Sequence, residues 1–142
     1  MRERIFVDTW GWVALGHKKD TRHKEIARFY REAHRRRDQV ITSDYVLDEL
    51  ITLLFRREHS VGAMEFVDGI LSSAEADFIK IEKITPEYFD QAWTLRKRFK
   101  ENPFISFTDL TSMVLMKEMG INKILTEDHH FFQLGMGLQK IL

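Results

Sequence analysis

Short runs of β-branched and aromatic residues alternate with amphipathic segments along the chain, and this alternation constrains the fold more than any other feature. The first such run covers residues 4–8, and further strand-like runs cover residues 39–42, 77–81 and 122–126. Apolar residues between these runs recur at helical spacing. We therefore predict an α/β/α sandwich with a central, mostly parallel sheet, formed as one domain over residues 1–142.

Capping residues predict where several of the helices begin and end. Ser60 is a candidate N-cap, Thr85 and Pro86 combine a capping hydroxyl with proline at the first helical position, and Gly120 is placed to end a helix. The other predicted elements are a helix over residues 9–15, a helix from about 21 to 36, a helix that begins near 45 after Ser43 or Asp44, and an edge strand over 140–142.

Composition excludes several classes of protein. The 142 residues include no Cys, 2 Pro and 7 Gly, so a disulfide framework, a thiolate metal site and a low-complexity chain are excluded. The longest stretch without Asp, Glu, Lys or Arg covers residues 129–139, which is shorter than the roughly 18 apolar residues of a membrane span. We expect no membrane segment, no signal peptide before the first strand, and a cytoplasmic location.

Charge is balanced overall but unevenly distributed. There are 22 basic and 22 acidic residues, and the basic ones are concentrated between residues 17 and 37. A basic helix face of this kind either contacts a polyanion or is simply solvated, and the sequence leaves both interpretations open.

Four acidic residues are expected at one edge of the predicted sheet. Asp8 ends the first strand, Glu49 lies in the first turns of the helix after the second strand, Asp109 begins the helix before the fourth strand, and Asp128 follows that strand. Ligands collect at the carboxyl ends of parallel strands, and carboxylates gathered there repel one another unless a cation neutralises them. Oxygen ligands alone favour a hard ion such as Mg²⁺ or Mn²⁺. Taken singly, each acid has an ordinary alternative as a cap, turn or surface residue.

Four motifs in the chain resemble those of PIN-domain ribonucleases of the VapC toxin type, and the likeness runs nearly from end to end. The motifs are Ile5-Phe6-Val7-Asp8-Thr9, residues 42–50 (TSDYVLDEL), residues 106–109 (SFTD) and residues 125–131 (LTEDHHF). The family's acidic quartet falls on Asp8, Glu49, Asp109 and Asp128, and its polar residue before the last acid falls on Thr126. One departure is that Trp10 and Trp12 occupy positions where small residues are frequent, which puts the shape of the substrate groove in question.

The resemblance implies a PIN-like, Rossmann-like fold and endonucleolytic hydrolysis of RNA with a divalent ion. Under this hypothesis Asp8 is the central metal ligand, Asp109 and Asp128 complete the set, and Glu49 binds a second ion or orients the attacking water. The hydroxyl groups expected to hydrogen-bond to the ligand carboxylates are those of Thr126, Thr9 and Ser106.

The resemblance also implies partners. RNA is the substrate, and the basic residues predicted to contact its backbone are Arg22, Lys24, Arg28, Arg31 and Arg35. VapC-like proteins pair with a small antitoxin protein and form homodimers. Exposed aromatic side chains such as Trp12 or Phe55 are candidates for these protein contacts.

Two other functions are alternatives to this one. The first is a non-catalytic PIN-like module that binds RNA or regulates another protein. The second is a different Mg²⁺-dependent α/β enzyme, such as a phosphatase with an Asp nucleophile, but such enzymes carry a second Asp two residues after the first and this chain has Trp10 there. Phosphate-binding loops with the GxGxxG or P-loop pattern are absent from the sequence.

Overall fold

A computed structural model describes residues 2–126 and 137–141, and within these residues five strands form one parallel sheet. The strand order is β3-β2-β1-β4-β5, so the chain begins at the centre of the sheet, builds outward on one side, and then returns to the other. The strands are β1 (Arg4–Val7), β2 (Gln39–Ser43), β3 (Ile79–Glu82), β4 (Lys123–Leu125) and β5 (Gln139–Lys140).

Six helices in the described part of the chain flank and connect these strands. They are α1 (Thr9–Gly16), α2 (His23–Arg35), α3 (Asp44–Arg57), α4 (Ser60–Glu75), α5 (Pro86–Arg98) and α6 (Phe107–Met119). The predicted α/β/α arrangement with a parallel central sheet is confirmed. None of the helices in residues 2–126 and 137–141 has the length and apolar character that crossing a membrane requires.

Some predicted boundaries are corrected. Helix α2 begins at His23 rather than near residue 21, because the Asp20 carboxylate accepts a hydrogen bond from Arg22 N–H (2.8 Å) and holds a turn before the helix. The N-cap of α4 is His59, which makes no side-chain capping bond, so Ser60 is already helical. The edge strand covers Gln139–Lys140 instead of residues 140–142, and it pairs with β4 in parallel.

The central strand β1 is buried on both faces of the sheet. Ile5, Phe6 and Val7 are all at most 2 % exposed, as expected for a parallel strand covered by helices on both sides. Phe6 is in register with Ile41 of β2 and with Ile124 of β4. Residues that follow β1 and β4 therefore emerge side by side at the carboxyl edge of the sheet.

Candidate active site

Asp8 lies at this carboxyl edge, where β1 ends and α1 begins. It is the N-cap of α1, and its Oδ1 accepts a hydrogen bond from Gly11 N–H (2.9 Å). Its Oδ2 accepts a hydrogen bond from the Thr126 hydroxyl (2.6 Å), and Thr126 directly follows the neighbouring strand β4. The Asp8 side chain is thus fixed by one donor from its own helix and one from the adjacent strand end.

The Thr9 hydroxyl is next to Asp8 and is buried. Its Oγ1 has no hydrogen-bond partner among the described residues, and it therefore makes no bond to a carboxylate there. A buried hydroxyl without a partner costs about 1–3 kcal/mol.

Asp109 is the third residue of α6 and forms a capping box with Ser106, the N-cap. The Ser106 hydroxyl accepts a hydrogen bond from Asp109 N–H (3.0 Å), and Ser106 N–H donates to Asp109 Oδ2 (3.2 Å). This reciprocal pair satisfies two donors at the start of the helix. Asp109 is buried, and Ser106 N–H is one of the groups that contact its carboxylate.

Glu49 lies in the second turn of α3 and is half-buried, whereas its neighbour Asp48 is exposed. Helix α3 packs against both α1 and α6, so Glu49 lies on the helix between the two that Asp8 and Asp109 begin. Asp128, the fourth predicted acid, lies outside the described residues. Within residues 2–126 and 137–141, no three His, Asp or Glu side chains come together as a metal-ligand group.

A buried hydrogen-bonded pair that sequence reasoning missed lies beneath the site. Trp12 Nε1–H donates to Thr42 Oγ1 (3.0 Å), and the Thr42 hydroxyl donates to the carbonyl of Val7 (3.0 Å), the residue before Asp8. Trp12 is 1 % exposed, so the prediction that it is an exposed protein contact was wrong, while Phe55 is 45 % exposed. Trp12 instead fixes the end of β1. A polar residue within a buried strand was the only sequence signal for Thr42.

Gly11 allows α1 to lie close against the end of β4. A Cβ atom at this position would come within 2.5 Å of the Leu125 carbonyl oxygen and 2.9 Å of Val7 Cγ1. The Leu125 carbonyl also accepts a hydrogen bond from Asp8 N–H (3.4 Å). The absence of a side chain at Gly11 therefore allows the close approach that joins α1 to the strand carrying Thr126.

The predicted RNA-contact residues follow helix α2 away from this site. Arg22 pairs with Glu25 (3.1 Å) at the start of the helix. Helix α2 rises about 18 Å from His23 to Arg35 and leads into the start of β2. Arg35 therefore lies near the amino-terminal edge of the sheet, opposite the carboxylates. The exposed members of the set are Lys24, Arg28, Arg31 and Arg35.

The PIN domain family model matches residues 5–135, a range that includes the parallel sheet and Asp8 at its carboxyl edge. The chain belongs to this family, which confirms the resemblance seen in the sequence. It is 34% identical over 131 residues to the 23S rRNA-specific endonuclease VapC20 of Mycobacterium tuberculosis, a match that covers 92% of this chain and 94% of the relative.

Solved structures agree with the sequence comparison. The crystal structure of VapC20 from Mycobacterium tuberculosis, a Sarcin-Ricin loop cleaving toxin, superimposes with a TM-score of 0.79 at 33% identity, covering 92% of this chain and 95% of that one. PAE2754 from Pyrobaculum aerophilum matches with a TM-score of 0.64 at 17% identity, over 99% of this chain and 92% of that one, and this second match shows the fold alone.

Proposed function

We propose that this single-domain chain is a metal-dependent endoribonuclease that hydrolyses RNA phosphodiester bonds, and that it is the toxin of a toxin–antitoxin pair. The observation that carries the proposal is the 34% identity to the 23S rRNA-specific endonuclease VapC20, which extends over 92% of the chain. Ribosomal RNA, with its sarcin-ricin loop, is therefore the first substrate to test.

The proposed metal ligands are Asp8, Glu49, Asp109 and Asp128, and the proposed ion is Mg²⁺ or Mn²⁺. The ligands offer oxygen atoms only, which suits a hard cation. A carboxylate can accept about four hydrogen or ligand bonds, so the role of Asp8 as a helix cap does not prevent it from binding an ion. The buried hydroxyl of Thr9, which has no partner among the described residues, is a further polar group that a hydrated ion would satisfy. A divalent ion bound here would acidify a water molecule and neutralise charge that develops on the phosphate.

The chain's own groups would orient the reaction. Thr126 and Gly11 N–H fix the two oxygens of Asp8, and Ser106 fixes Asp109. Glu49, on the helix between α1 and α6, would orient the attacking water and accept its proton.

We further propose that RNA is held in part by the exposed cations of α2. Their contacts would be with the phosphate backbone, so binding would weaken as salt concentration rises, with a log–log slope of about −0.7 per neutralised phosphate for single strands. Because α2 leads away from the carboxylates, these contacts would act on parts of the RNA distant from the cleaved bond.

Protein partners form the remaining part of the proposal. A cognate antitoxin and a second copy of the chain would both cover apolar surface in a cytoplasmic complex. Large exposed apolar side chains are present on α3, α4 and α5, and the ones available for such contacts include Ile51, Phe55, Val61, Met64, Leu71, Phe89 and Trp93. Light scattering at micromolar concentration that finds only monomer would refute the homodimer.

The test of the enzymatic proposal is cleavage of RNA by the purified chain. Total RNA and intact ribosomes are incubated with Mg²⁺ or Mn²⁺, and the 5′ ends of the products are mapped. We expect discrete cleavage that a chelator abolishes and that Asp8→Asn and Glu49→Gln remove. Asp48→Asn is the matched control, because Asp48 is adjacent to Glu49 but exposed. Undiminished cleavage by Asp8→Asn would refute the assigned site, and a chain that neither cleaves RNA nor binds Mn²⁺ would instead be a non-catalytic module.

A further inference from the structure

The Arg96 guanidinium, near the end of α5, binds three backbone carbonyl groups of the segment that follows. Its Nη1 donates to the carbonyl of Ile105 (2.6 Å), and its Nη2 donates to those of Phe99 and Asn102 (both 2.6 Å). We name residues 99–105 the α5–α6 loop. One planar side chain therefore connects the beginning, middle and end of this loop.

Most of the α5–α6 loop is exposed. Phe104 and Pro103 are exposed, while the Ile105 side chain is buried at 1 % exposure. A loop that is mostly exposed owes its conformation to the hydrogen bonds of its backbone, and Arg96 provides three of them. Two of these come from one Nη2 atom, an arrangement that uses the fixed fork of the guanidinium.

The end of the loop leads directly to Asp109. Ile105, whose carbonyl Arg96 holds, is followed by Ser106, and Ser106 exchanges two hydrogen bonds with Asp109. A displacement of the backbone at Ile105 would shift Ser106 N–H, which is one of the groups that contact the Asp109 carboxylate. The position of the carboxylate thus depends on the position of the loop.

We propose that Arg96 is a positioning residue for Asp109: by holding the α5–α6 loop it sets the carboxylate where a divalent ion would bind. This inference rests on the proposed function, since Asp109 is a ligand only if the chain is a metal-dependent nuclease. Groups that orient a ligand from outside the coordination shell typically change metal affinity by about 10- to 100-fold when they are removed.

The positive charge of Arg96 and its hydrogen bonds to the loop predict opposite effects on Mn²⁺ affinity when the side chain is removed. Loss of a nearby positive charge lowers repulsion toward a divalent cation, and would by itself strengthen Mn²⁺ binding. Loss of the loop's hydrogen bonds would weaken it. Arg98 provides the matched control, because it is exposed on the same helix end and its guanidinium lies 5.2 Å from the centroid of the Phe99 ring.

The experiment compares the wild-type chain with Arg96→Met, Arg96→Lys and Arg98→Met. The Mn²⁺ dissociation constant is measured by calorimetry, and RNA cleavage is measured across Mn²⁺ concentrations. We expect Arg96→Met to raise the dissociation constant about 10-fold or more, with cleavage restored at saturating Mn²⁺ and an unchanged KM for RNA. Arg96→Lys keeps the charge without the fork and should show a smaller increase, whereas Arg98→Met should bind Mn²⁺ as the wild type does or slightly more tightly. If Arg96→Met does not fold, Arg96→Lys alone provides the comparison.

Hydrogen exchange at the amides of Ser106 and Asp109 distinguishes a role of Arg96 in loop stability from a role in positioning Asp109. Faster exchange in Arg96→Met together with weaker Mn²⁺ binding would support the positioning role. Faster exchange with unchanged Mn²⁺ affinity would overturn it, because Arg96 would then stabilise the loop without affecting the site. A wild-type chain that binds no Mn²⁺ and cleaves no RNA would overturn the proposed function itself.

Discussion

Replacing Gly11 by alanine tests whether the close contact between α1 and β4 is as tight as the structure indicates. Gly11 is the third residue of α1, and an added Cβ would lie 2.5 Å from the Leu125 carbonyl oxygen and 2.9 Å from Val7 Cγ1. Neither group can easily yield, because Val7 is in the central strand and the Leu125 carbonyl is bonded to Asp8 N–H. The substitution would therefore move α1 away from the sheet.

The magnitude follows from two opposing terms. Alanine in place of glycine favours a helix by up to about 1 kcal/mol. Added atoms in a well-packed region cost about 1–3 kcal/mol, and a contact of 2.5 Å with a backbone oxygen falls at the upper end or beyond. We expect Gly11→Ala to lower the free energy of unfolding by about 1–3 kcal/mol, which corresponds to a decrease in Tm of roughly 3–10 °C for a domain of this size.

Gly62→Ala is the control, because Gly62 is the third residue of α4 and its added Cβ would have no heavy atom within 4 Å. Alanine there should stabilise the chain by about 0.5–1 kcal/mol through helix propensity alone. The free energy of unfolding of both variants is measured by urea titration. The comparison requires equal m-values, the slopes of that free energy against urea concentration. If Gly11→Ala were stabilised to the same extent as Gly62→Ala, the tight contact between α1 and β4 would be refuted. RNA cleavage by Gly11→Ala should also fall, since Asp8 caps the displaced helix.

Two further predictions concern stability away from the site. Arg37 (φ 61°) and Asp77 (φ 64°) follow the ends of α2 and α4 in the left-handed conformation that favours glycine. Arg37→Gly and Asp77→Gly should therefore each raise the free energy of unfolding by about 0.5–1 kcal/mol in urea titrations. Destabilised variants would contradict this. Burial raises the pKa of Tyr30 to about 12, so between about pH 10 and pH 12 the unfolded chain loses this proton first and stability falls as pH rises, by at most about 2–3 kcal/mol. Urea midpoints of wild type and Tyr30→Phe should diverge only in that window, and parallel curves would refute the shift.

Local patterns predicted the elements well. The apolar run before Asp8 favours a buried strand, which the structure confirms, and Thr85 caps α5 through Tyr88 N–H with proline at the start, as its sequence indicates. Gly120 ends α6 with φ 68°. In each case the signal lies within a few neighbouring residues, where backbone preferences decide the outcome.

Long-range partners could not be predicted in this way. Trp12 is part of the hydrophobic core, and its buried indole N–H is satisfied by Thr42, 30 residues later, a pairing that no local pattern predicts. Helical spacing places Arg96 on the same face of α5 as Ala92 and Phe99, but it does not predict that the guanidinium binds three loop carbonyls. Topology alone predicts that residues after parallel strands share one edge of the sheet, and Asp8 and Thr126, which follow the neighbouring strands β1 and β4, meet there through a hydrogen bond.

Helix starts explain how the proposed site holds acids in position before any cation binds. Asp8 caps α1 and Asp109 is the third residue of α6, so each carboxylate accepts a hydrogen bond from a backbone N–H at the start of a helix. Removal of Asp8 would therefore eliminate a helix cap and a proposed ligand together. Asp8→Asn separates these roles, because the amide oxygen can still accept the bond from Gly11 N–H while the negative charge is lost. A variant that folds as stably as the wild type and no longer binds Mn²⁺ is the outcome that this division of roles requires.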